Sequence, residues 1–154
     1  MNNLKIQQEI LKAILANPQQ VRYCPYDIDQ VFVTLTGTVG YFIAEDDLRV
    51  ALKGAQIGVD TLTDEVTDAL QAGNRLIGTD EYRKGGVARK YLREKGGQAV
   101  YVDTNLLKNF NFPELYQSPN HKLGPIIVTE HEVGADSRQV VGIVMPIKVD
   151  EENQ

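Results

Sequence analysis

Along the first sixteen residues Leu4, Ile6, Ile10, Leu11, Ile14 and Leu15 recur at helical spacing. Lys5, Gln8, Glu9 and Lys12 occupy the other side, and this predicts an amphipathic helix over residues 3–16, stopped by Asn17-Pro18. Its apolar stripe is expected to pack on the strands that follow. After a short strand at residues 20–24, Gln30 to Leu35 and Thr38 to Ile43 flank Thr36-Gly37 and read as a β-hairpin with Gly37 supplying the positive φ. Glu45 to Leu52 fits a turn running into a short strand, and residues 54–61 fit a loop. Thr63 is a good N-cap with Asp64 and Glu65 in the first turn, so a short helix is expected from Asp64 to Gln71, closed by Gly73.

In the second half, Arg75 to Thr79 and Val87 to Leu92 pattern as strands around a loop at Asp80 to Gly86, although the second also fits a helix. Gly96-Gly97 marks a turn before the strand Gln98 to Val102. Asp103 or Thr104 caps a short helix that carries Leu106, Leu107 and Phe110 inward. Glu114 to Gln117 and Pro125 to Thr129 are further strands. The last strand, residues 139–149, has so continuous a run of β-branched residues that it is expected to be buried on both faces or packed centrally, with pairing lapsing at Pro146. Hairpin connections outnumber helical crossovers, so the fold class is α+β, an antiparallel sheet with helices on one face. One domain covers residues 1–150, and residues 151–154 form a solvated tail.

Composition narrows the picture only slightly. The 154 residues are 42% apolar and 24% charged, enough to bury a core without a staple. A net charge of −5 argues against coating nucleic acid with the whole surface and leaves room for a local basic face. The lone cysteine, Cys24, rules out an intrachain disulfide framework, and no stretch has the length of a membrane span, so a cytoplasmic protein is expected.

Candidate chemistry is sparse. Glu130-His131-Glu132 invites a metal-dependent hydrolase reading, but a zincin helix needs a second His four residues on, where Ala135 stands. His121 reads as a loop residue. Cys24 lacks a local base, Glu45-Asp46-Asp47 lacks the alternation of a calcium loop, and no glycine string matches a phosphate-binding fingerprint. The least ordinary feature is basic: Arg83, Lys84, Arg89, Lys90, Arg93 and Lys95 crowd thirteen residues with only Glu94 against them and Tyr82 and Tyr91 interleaved. Such a segment suits a phosphate backbone, and equally a solvated hairpin.

The strand Ala99-Val100-Tyr101-Val102, the short helix Thr104 to Phe110, a strand pair and a final strand ending Val144-Met145-Pro146-Ile147 resemble the closing half-repeat of a DNA sliding clamp domain. Bacterial clamps similarly end a domain with an apolar strand running into Met-Pro, and their repeating unit is a helix laid across antiparallel strands. The helix and strands of residues 3–43 would supply the earlier half-repeat. A bacterial clamp subunit carries three such domains, whereas this chain has length for one, lacks an opening strand before its first helix and has an additional region at residues 54–74.

The resemblance implies no catalysis and no cofactor. Clamps encircle duplex DNA with basic helix faces and dock partner peptides in an apolar groove. By position, Lys5, Lys12 and Lys108 would face DNA. A one-domain chain forms a ring only as a homo-oligomer, with sheet-edge pairing the natural route. The resemblance points to a non-enzymatic, clamp-like accessory protein whose partners are DNA and replication or mobile-element proteins, with no membrane. The alternative is a protein-interaction module that does not touch nucleic acid.

Overall fold

A computed structural model describes residues 1–35, 37–52, 55–56, 59–71, 73–118, 123–131 and 137–149, with the backbone alone at 55–56 and 59–61. The expected tail, His121, Glu132 and Ala135 lie outside the described residues. The first helix, α1, spans Asn3–Ala16; Asn2 caps it by accepting the Lys5 N–H, and Asn17-Pro18 ends it as expected. Strands β1 (Val21–Tyr26), β2 (Gln30–Leu35), β3 (Val39–Ala44) and the two-residue β4 (Ala55–Gln56) follow. Then come α2 (Val59–Gln71), β5 (Asn74–Arg83), β6 (Ala88–Arg93), β7 (Val100–Asp103), β8 (Glu114–Gln117), β9 (Ile126–His131) and β10 (Arg138–Val144).

Among the described residues the strands form one sheet in the order β4-β1-β2-β3-β10-β9-β8-β5-β6-β7, antiparallel throughout except for the β1–β4 contact. The last strand is central, as its run of apolar residues predicted, lying between β3 and β9. Pairing with β3 ends at Val144, next to Met145-Pro146. Beyond the proline, Ile147 donates its N–H to the Tyr101 carbonyl of β7 at 2.8 Å. The strands from β10 round to β7 therefore curl until the far edge meets the chain that leaves the centre.

Both faces of this sheet are covered, which explains why its middle strands are buried without alternation. On one face, Ile6 and Ile10 of α1 join Val31, Val33, Tyr41, Ile43, Val128 and Val144 inside the curl. On the other, Leu62, Val66 and Ala69, one stripe of α2, pack on Phe32, Phe42, Tyr116, Ile127 and Ile143. The α+β class holds, but the helices do not share one face. What does share the face of α1 is the 3-10 turn Thr104–Leu107, capped by Asp103, which carries Leu106 and Leu107 inward, and Phe110 just beyond it. The two are tied directly: Asn2 donates its N–H to Asn109 O at 2.8 Å, and the Asn109 amide donates to Glu9 at 3.0 Å and Tyr41 Oη at 3.2 Å.

Several expected boundaries shift. Helix α2 begins at Val59, so Thr63 lies within it and is not its cap. Gly73 follows its last residue, Gln71, at a tight point: a Cβ there would stand 2.0 Å from Ala69 O and 2.6 Å from Gln117 O. Glu45–Asp47 is a 3-10 turn with no strand at Leu48 to Leu52. Gln7 of α1 holds this stretch instead, donating to Asp47 O and accepting the Arg49 N–H, each at 2.6 Å. Strand β5 runs on to Arg83, where a loop was expected, because a bulge lets it continue pairing with β6.

Candidate functional site

The basic segment lies on the β5–β6 hairpin. Register slips between Gly78 and Tyr82, and Thr79 stitches the slip: its hydroxyl donates to Lys90 O at 2.8 Å and its carbonyl accepts Arg89 Nε at 2.8 Å. Gly78 leaves room for this, since a Cβ there would stand 2.6 Å from the Arg89 guanidinium. Tyr82 pairs with Arg89 across the strands, and Tyr91 is two residues on, so all three side chains share one face. Arg89 lies 5.3 Å from the Tyr91 ring centre. Burial pushes the Tyr91 phenol up from its ordinary pKa, and the Arg89 charge and hydrogen bond pull against that rise.

These residues line a cleft of about 390 Å³ closed on its far side by Thr104, Leu107 and Pro113. The hairpin's cations are not idle. Lys84 donates to Lys148 O at 3.3 Å, Arg93 to Gln98 O at 2.9 Å, and Lys90 pairs with Glu81 at 3.1 Å. Carbonyl partners orient a cation without cancelling its charge, so of these contacts only the Lys90 pair is neutralised. Strand pairing thus sets Glu81 against the segment, an opposition that linear spacing did not reveal. At the tip Lys84, Gly85 and Gly86 all take positive φ. On α1, Lys5 and Lys12 are exposed, while Lys108 pairs with Glu9 at 3.1 Å.

A second, larger depression lies on the α2 face. It is an open groove of about 670 Å³ lined by Gln19, Gln20, Arg22, Phe32, Thr34, Gly37, Thr38, Val39, Gly40, Leu62, Ile143 and Met145. Phe32, Leu62, Ile143 and Met145 supply its apolar surface, and Gln19, Gln20, Arg22, Thr34 and Thr38 its polar positions. Gly40 shapes the bottom, because a Cβ there would stand 2.2 Å from the Phe32 ring. Met145 is fixed by donating its N–H to Thr38 O at 2.9 Å. None of these residues was singled out for chemistry in the sequence, and Met145 entered only through the Val-Met-Pro run of the resemblance, since they converge only when β2, β3, β10 and α2 assemble.

The acid and histidine candidates are dispersed. Glu130 accepts the Met1 ammonium at 2.7 Å and the Asn111 N–H at 2.6 Å, while His131 stands 3.2 Å from Glu114. Glu114 also takes Tyr116 Oη at 3.0 Å, Arg75 at 3.4 Å and Arg138 at 3.5 Å. Two neighbours in sequence thus serve different partners, while Glu132, the third member of the metal reading, lies outside the described residues. Among the described residues no three His, Cys, Asp or Glu side chains gather closely enough to hold a metal. Cys24 is buried, and burial raises its thiol pKa, the opposite of what a nucleophile needs. No helix among the described residues is long and apolar enough to cross a membrane.

Comparison with known proteins finds no matching family model, no matching curated protein and no matching solved structure.

Proposed function

We propose that this chain is a non-enzymatic accessory protein that receives an apolar peptide segment of a partner in the groove at Phe32, Leu62, Ile143 and Met145, and that its partners act on DNA. The groove carries the reading. Its size suits two or three bulky side chains, its apolar residues reward their burial, and its polar positions suit a peptide backbone. It also lies at the end of the strand whose Val-Met-Pro run resembles the sliding clamps, which dock peptides in an apolar groove. Each buried side chain contributes about 1.5–3 kcal/mol before ordering costs, so two or three supply roughly 3–9 kcal/mol gross and a short peptide should bind weakly, with a Kd of roughly a millimolar. Titration calorimetry with short peptides carrying paired bulky apolar residues tests this, with Met145→Glu as the variant that removes binding. Binding that Met145→Glu leaves intact would locate the peptide elsewhere.

A second reading, direct contact with DNA, is favoured by the hairpin: the exposed Tyr82 ring and Arg89, which lies over the buried Tyr91, stand beside Arg83 and Lys84. Contacts to about three phosphates would give a slope near −2.7 for log K against log salt on duplex DNA. Fluorescence anisotropy with duplex and single-stranded DNA at low and moderate salt measures it. Lys84→Glu should weaken binding on both. An absence of binding at low salt removes the DNA contact and leaves the peptide groove standing.

A further inference from the structure

Helix α1 carries two apolar faces. Ile6 and Ile10 are fully buried against the sheet, yet Leu4, Leu11 and Leu15 are 73%, 46% and 78% exposed. With the exposed Gln8 they follow a spacing of four, three and four residues, the alternation of core positions in a coiled coil, and at about 100° per residue all four fall within about 60° of arc. Lys5 and Lys12, seven residues apart, border this seam on one side, and neither is ion-paired to another described residue. On the other side the seam is bordered by Gln7, which is locked to the backbone of Asp47 and Arg49, and by Ile14, which packs against the core.

We propose that this face of α1 docks an amphipathic helix from another protein, leucine-rich along its contact stripe and acidic along the flank that meets Lys5 and Lys12. A second copy of this chain fits poorly. Antiparallel pairing of two α1 helices would bring each lysine flank against its twin, and parallel pairing would bring it against Gln7 and Ile14, which are already held. Phosphates would meet the lysines but leave three exposed leucines unrewarded, so a protein helix accounts for both features. The seam lies on the opposite side of the sheet from the peptide groove, and the two surfaces can be separated by mutation.

The test uses the full chain and a labelled synthetic helix about three heptads long, with leucine at core positions and glutamate at the flanks, followed by fluorescence anisotropy. A matching peptide with lysine flanks and vesicles of phosphatidylcholine with phosphatidylserine serve as the other arms. The glutamate peptide should bind, and the double variant Leu4→Ser, Leu15→Ser should weaken it at least about tenfold with the thermal melt unchanged, as those side chains are mostly in water. Lys5→Glu with Lys12→Glu should transfer preference to the lysine peptide. Met145→Glu should leave both bindings alone, which separates this proposal from the groove. Failure of the glutamate peptide to bind, indifference to the leucine variant, or preferential binding to vesicles would overturn it.

Discussion

Gly142 sits where β10 passes beneath Phe110. A Cβ there would stand 2.4 Å from the Phe110 ring and 2.7 Å from Gly40 O, and the backbone neighbour has no way to yield. Gly142→Ala is therefore expected to cost at least about 1–3 kcal/mol in urea unfolding. Gly40→Ala meets only the Phe32 side chain, so it should act mainly on the groove that Phe32 lines. Ionisation gives a second check at this scale. Burial raises the pKa of the Tyr41 and Tyr91 phenols, so the folded chain holds these protons more tightly than the unfolded one. Their contribution is complete below the unfolded value of about 10 and is lost as pH rises above it. Unfolding free energy should fall as pH rises above about 10, less steeply in Tyr41→Phe.

At the scale of elements, α1 shows what the pattern could and could not convey. The periodicity of six apolar residues located the helix to the residue, but read them as one stripe. The sheet takes only Ile6 and Ile10 fully, because one side of a helix meets one surface, and the leucines face out. Ile10→Ala should cost about 2–5 kcal/mol, while Leu15→Ala should stay within about 0.5 kcal/mol, a contrast that equilibrium denaturation resolves. The β5–β6 hairpin makes the same point: Arg75 to Thr79 patterned as a strand but Val87 to Leu92 fitted strand and helix alike, and the bulge at Thr79 and the facing of Lys90 to Glu81 depend on register. Helix α2 was placed from capping residues, Thr63 with Asp64 and Glu65, but it starts earlier, at Val59, and its packing face is the aromatic surface of Phe32, Phe42 and Tyr116.

Across the whole molecule, the central place of β10 and the break at Pro146 could be read in advance because both follow from local composition. The curl that brings Ile147 back to Tyr101 could not, nor could the groove, whose lining runs from Gln19 to Met145. Sites assembled from residues so far apart in the chain leave no local signature. Two surfaces emerge on opposite sides of the sheet, an open groove and a leucine seam, with a basic hairpin at the far end of the strand order.

The sequence contains two methionines, and only Met145 lines the groove, while Met1 packs against the core on the other face. A methyl-labelled methionine spectrum therefore reports the groove and an internal control in one titration. Short peptides carrying paired bulky apolar residues should shift the Met145 methyl saturably and leave Met1 in place. A Met145 signal that stays fixed at millimolar peptide, or moves only in step with Met1, would contradict a peptide-docking groove.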